Sequence, residues 1–120
     1  MKSEQPKNDG YHHGALREAL LDRALEKLSS GTRVTELSVR ALAAEVGVSK
    51  CAPYRHFPSA DALIAALATR GFSMLSSAMS TSSGRSLAAI GTIYVRFAAA
   101  NPELYRAMYH FPQVRHIFPP

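Results

Sequence analysis

"LSVRALAAEVGVSKCAPYRHF", residues Leu37 to Phe57, decides how this chain is read. Val39, Leu42, Ala43 and Val46 fall at i, i+3, i+4 and i+7, which is one face of a short helix. Ser38 stands where an N-cap is needed, and Gly47 where a helix ends in the left-handed region. Val48 can plug the angle between this helix and the next. A third predicted helix follows "VS" and ends near Phe57, because Pro58 cannot continue it. Its start is set by Pro53, which has no N–H and sits comfortably only in a first turn. Two short helices joined by a tight glycine turn are the layout of a helix-turn-helix.

The chemistry of the second half of that stretch is one-sided. From Val48 to Phe57 there are Lys50, Arg55 and His56 but no carboxylate. A helix entering the major groove presents its N-terminal end to the duplex, where acids are repelled. Lys50 and Arg55 have the reach for guanine O6/N7 or phosphate. Tyr54 and His56 can donate to phosphate oxygens, which sets register. Cys51 and Ala52 are small enough for close approach to a thymine methyl. Arg40, near the start of the preceding helix, is placed for the DNA backbone. The same residues also fit a plain helical core, with Tyr54 and Phe57 inside and Lys50 and Arg55 on a solvated face.

Outward from this stretch the pattern is helical throughout, and the predicted fold class is all-α. Residues 1–10 read as a flexible arm. A first helix is expected from about Gly14 to Ser29, with Leu21, Ala24, Leu25 and Leu28 as its stripe and Gly31 beyond its end. Ser59 is an N-cap for a long helix from Ala60 to about Met79, carrying Ile64, Ala68, Phe72, Leu75 and Met79 on one side. "STSSG" at 80–84 is a linker. A fifth helix covers roughly Ser86 to Ala100 and is apolar on most sides, so it should be buried against something. Asn101 reads as the N-cap and Pro102 as the first residue of a sixth helix ending near His110. The expected organisation is an arm at 1–10, a helix-turn-helix domain at 11–59, and further helices at 60–120.

Composition narrows the function classes. The chain has 120 residues, 47% of them hydrophobic, and a formal net charge of +5. That balance suits an anionic partner. Residues 1–59 hold nine Lys/Arg against seven Asp/Glu, and residues 60–120 five against two, so local clusters matter more than the total. The single cysteine, Cys51, excludes an internal disulfide and fits a reducing compartment. The N-terminus has no apolar signal segment. No uninterrupted apolar stretch reaches the ~18 residues of a membrane span. The expectation is a cytoplasmic protein without a membrane partner. His12 and His13 are adjacent, so they do not share a helical face, and no metal set is expected. Cys51, beside Lys50, is a weak candidate for redox sensing. There is no nucleophile elbow, phosphate-cradling glycine loop or paired carboxylate, so neither an enzyme nor a cofactor is expected.

"YHHGALREALLDRALEKL" followed by "LSVRALAAEVGVSKCAPYRHFPSADALIAAL" resembles the N-terminal domain of TetR-family bacterial transcriptional regulators, over about Tyr11 to Met79. "YVRFAAANPELYRAMY", Tyr94 to Tyr109, resembles the start of the effector domain in one subgroup. The resemblance implies a homodimer that binds a palindromic operator on double-stranded DNA and represses nearby genes. It also implies a small-molecule effector that enters the C-terminal helices and releases the DNA. For the organisation of the chain it implies DNA binding by the domain at 11–59, and a connecting helix with a partial effector or dimerisation domain at 60–120. By match of motif, Ser38, Arg40, Lys50, Cys51, Ala52, Tyr54, Arg55 and His56 take the DNA-facing positions. Phe72, Leu75, Met79, Tyr94, Phe97 and Met108 are candidates for an effector pocket, and each equally fits plain helix packing. Ala60 stands where the family often has a lysine, which implies one phosphate contact fewer. Family members usually run further, so the effector domain is expected to be shortened. The rival expectation is a helical ligand-binding or interaction module without productive DNA binding.

Overall fold

The computed structural model describes residues 4–49, 51–80 and 86–111. Among the described residues the secondary structure is entirely helical. The elements are α1 (Glu4–Ser29), a 3-10 turn (Val34–Glu36), α2 (Val39–Val46), a second 3-10 turn (Ala52–Arg55), α3 (Ala60–Ser80), α4 (Leu87–Ala100) and α5 (Pro102–Met108).

The local signals act where they were read. The Ser38 hydroxyl accepts the Ala41 N–H at 3.1 Å and caps α2. Gly47 closes it at φ +89, in the left-handed region that a side chain would strain. The Ser59 hydroxyl accepts the Ala62 N–H at 3.1 Å at the start of α3. The Ser86 hydroxyl, expected inside the helix, is the cap of α4 and accepts the Ala89 N–H at 3.1 Å.

Three expectations are corrected. Helix α1 begins at Glu4, so the segment from 4 to 10 is helix and not an arm. Pro6 permits this because it falls in the first turn, whose N–H groups have no intrahelical acceptor. The third predicted helix is a single 3-10 turn, Ala52–Arg55. Pro53 cannot donate back to the preceding turn, and the Pro53 carbonyl itself accepts from both His56 (3.0 Å) and Phe57 (2.9 Å). Asn101 gives α5 no side-chain cap. Its amide instead donates to the Phe97 carbonyl at 3.0 Å and so closes α4. Helix α3 is long and apolar enough to cross a membrane, with a mean hydropathy of 1.3, although polar residues interrupt its apolar run. Here it is a core helix, and Arg70 in its middle pairs with Glu18 and Asp22 of α1.

The core lies where α1, α2, α3 and α5 converge, with Phe57 inserted from the second turn. Leu20, Leu42, Phe57, Leu63, Leu67 and Met108 are its largest fully buried side chains. Burying such a side chain contributes about 1.5–3 kcal/mol. Helix α5 closes against α3 at Gly71, where a Cβ would stand 2.6 Å from Met108 Cγ. Only glycine lets the two helices approach so closely. Helix α4 has no buried residue at all.

Candidate nucleic-acid interface

The turn between α2 and Ala52–Arg55 is fixed by backbone bonds. The Ala43 carbonyl accepts from both Gly47 (2.9 Å) and Val48 (3.0 Å). This paired closure turns the chain sharply and satisfies carbonyl groups that a helix end leaves open. The Ser49 hydroxyl lies 3.4 Å from the Ala52 N–H, at the start of the next turn. Buried Pro53 and Phe57 then anchor that turn in the core. The Arg17 guanidinium lies over the Phe57 ring at 5.3 Å from its centroid, so α1 holds the anchor from the other side. The short 3-10 turn is thereby held by Pro53 within it and Phe57 just beyond it, with Tyr54 and Arg55 exposed.

The candidate DNA-facing residues differ in exposure. Cys51, Tyr54 and Arg55 are exposed, Tyr54 at 42%. Ala52 and His56 are half-buried, with the His56 ring 6.4 Å from that of Phe57. Arg40 is exposed on α2. Ser38 is half-buried and its hydroxyl is engaged in capping. Lys50 lies outside the described residues. The structure thus brings Cys51, Ala52, Tyr54, Arg55 and His56 together on one turn and puts Arg40 on the helix packed against it.

The nearest acid is neutralised. Glu45 accepts from Lys27 Nζ at 2.9 Å and from Arg23 Nε at 2.8 Å, both on α1. These bonds, Lys27 first, hold its carboxyl below the ordinary range. They also clamp α2 to α1. Pairing with α1 therefore draws the Glu45 charge away from the Ala52–Arg55 turn.

The six candidate effector residues do not form one site. Phe72, Leu75 and Met79 share with Ile90 a cleft of about 530 Å³ between α3 and α4. Met108 is fully buried against Gly71. The Tyr94 hydroxyl bonds to those of Tyr105 (3.1 Å) and Tyr109 (2.7 Å). Phe97 is half-buried and its carbonyl serves Asn101. A larger cleft, about 660 Å³, opens elsewhere, between α5 and the Val34–Glu36 turn. Sequence periodicity could not find it, because its two walls are far apart in the chain. Among the described residues no group of His, Cys, Asp and Glu is arranged for a metal ion.

A helix-turn-helix with an acid-free, outward-facing second element defines a class, the helix-turn-helix DNA-binding domains. Residues 34–67 match the family model of the bacterial regulatory proteins, tetR family. That match takes in the helix-turn-helix and the start of α3, so this segment is similar to the N-terminal domain of that family. Over 94% of its length it is also similar to a solved structure, described as a protein with unknown function from Rhodococcus sp. RHA1, at 41% identity and a TM-score of 0.70. The chain spans 63% of the length of that structure. No curated protein matches the sequence.

Proposed function

We propose that this chain is a sequence-specific DNA-binding transcriptional regulator acting in the cytoplasm. It binds a palindromic operator as a homodimer and represses nearby genes until a small-molecule effector releases it. The observation that carries this reading is the acid-free turn, with Tyr54 and Arg55 exposed and Pro53 and Phe57 anchored beneath them. Tyr54 and His56 then contact phosphate, and Arg55 reads a base edge. Arg40 contacts the DNA backbone from α2, and Cys51 and Ala52 allow close approach. The homodimer is supported by α4, which exposes Leu87 at 87% and Val95 at 65%. The division into a DNA-binding unit at 11–59 and a regulatory unit at 60–120 belongs to the same proposal.

The test is selection from a random duplex library at moderate salt, followed by sequencing of what is retained. Enrichment of a two-fold symmetric site is the expected result. A single half-site would mean a reading head without its dimer. Arg55→Ala is expected to relax preference at one base position, at a cost of about 1–3 kcal/mol there. Equal weakening on all sequences would make Arg55 a phosphate contact. The reading without productive DNA binding draws on the brevity of the second element, Ala52–Arg55. A folded protein that enriches no sequence would favour it.

A further inference from the structure

The cleft between α5 and the Val34–Glu36 turn belongs neither to the DNA-facing turn nor to the α3–α4 cleft. At its base the Glu103 carboxylate accepts the Val34 N–H at 3.0 Å and pairs with Arg106. Its side chain is only 12% exposed, and the Val34 bond, before any other cause, holds its carboxyl below the ordinary range. That acid is thus already satisfied. The Tyr105 and Tyr109 rings stand 4.9 Å apart along one wall. Their hydroxyls both engage Tyr94, so the wall offers mainly ring carbon. Arg33 on the turn and Arg106 on α5 complete the lining, both exposed. Arg106 pairs with Glu103, whereas the exposed Arg33 guanidinium forms no ion pair among the described residues and stands beside this apolar surface with Glu36 on its own turn. His110 also borders the cleft, and its Nε2 lies 3.8 Å from Asp61. The Arg33 backbone N–H donates to Glu36, at 3.2 Å.

We infer that this cleft binds a small organic carboxylate, with its charge on Arg33 and Arg106 and its apolar body against Val34, Tyr105 and Tyr109. A guanidinium presents parallel donors that match a carboxylate. Ligand sites characteristically join a mostly apolar lining to a few placed charges. Val34 leads directly into Leu37 and the Ser38 cap of α2. A ligand seated here therefore touches the segment that enters the helix-turn-helix. The binding claim stands on the cleft alone. An effect on operator affinity rests in addition on the proposed function.

The experiment uses the full chain, titrated with phenylacetate, naphthalene-2-carboxylate and decanoate, each against its primary amide. Calorimetry reads affinity, and amide chemical shifts read location. At least one carboxylate is expected to saturate at millimolar concentration or below, with its amide weaker by about tenfold or more. Shifts should concentrate at Val34, Glu103 and Tyr105. Arg33→Gln, which leaves the Glu103 bonds in place, should weaken the carboxylate by about tenfold and leave the amide unchanged. The inference is overturned if no carboxylate binds, if amides bind equally well, or if the shifts fall on Phe72 and Met79 instead. Carboxylate binding in a protein that selects no DNA would sink the proposed function and leave this site standing.

Discussion

Helices α2 and α4 teach opposite lessons about apolar sequence. Helix α2 has eight residues, includes Arg40 and Glu45, and buries Val39, Leu42 and Ala43. Helix α4 has fourteen residues, is apolar nearly all round, and buries none. Apolarity alone therefore does not place a helix. A one-sided stripe gives a helix a defined orientation, so that neighbours can pack against it. A helix apolar on every side has no preferred face and needs further surface to cover it. What fixes α2 is also polar: the Ser38 cap at one end and the clamp from Glu45 to Lys27 and Arg23 along its flank.

This contrast can be broken at the core first. Leu63 is fully buried, so Leu63→Ala should cost about 2–5 kcal/mol in chemical denaturation. A loss below 1 kcal/mol (roughly the methylene scale of burial,) would mean that the core is not packed as described. Gly71→Ala should cost about 1–3 kcal/mol, because the new methyl meets the buried Met108 side chain. Adding Met108→Ala to that variant should recover part of the loss on this site, measured as a double-mutant coupling. An additive pair would show that Gly71 is not held by that contact.

Smaller effects sharpen the comparison. Ser38→Ala removes a cap and should cost about 1 kcal/mol by thermal denaturation, whereas Ser38→Asp should retain the stability. The latch between α5 and the first turn is pH-dependent. Glu103 has a depressed folded-state pKa, so its stabilisation is complete above the ordinary glutamate value of about 4.3. It is lost as the pH falls through the lower folded-state value. Melting temperature should therefore drop in acid, and Glu103→Gln should flatten that drop; an unchanged acid slope would show that the latch contributes nothing. The smallest effect belongs to α4. Val95→Ser should change stability by less than about 0.5 kcal/mol in dilute protein. A loss that grows with protein concentration would show α4 covered by a second copy.

How much of this was legible depended on range. The turn at Gly47, the caps at Ser38 and Ser59, and the anchoring of Phe57 all act within a few residues, and each could be read directly; Ser86 reads as the first helical residue and is instead the cap. Apolar stripes gave the buried faces of α1 and α3 approximately; Leu20, Leu63 and Leu67 were missed because each sits beside the stripe that was read. The start of α1 was misplaced because Pro6, Asn8 and Gly10 look like breakers in isolation. In place, Pro6 lies in the first turn and costs no hydrogen bond. The length of the second element was misread because Pro53 limits it to one turn.

The candidate site divides along the same line. The sequence allowed Phe57 inside but left Tyr54 open between core and surface; that Pro53 is buried and Tyr54 exposed came only from the fold. That Glu45 would be drawn off by α1 did not follow, because Arg23 and Lys27 meet it only after the helices pack. By itself the sequence determined the helical class, the glycine turn and the acid-free stretch, because these depend on local backbone preference and composition. Tertiary structure alone decided that Gly71 meets Met108 and that Glu103 reaches across 69 residues to the Val34 N–H. It also decided that Arg33 and Arg106 share a cleft. Such contacts depend on how whole helices dock, and no local pattern encodes the distance between residues so far apart in the chain.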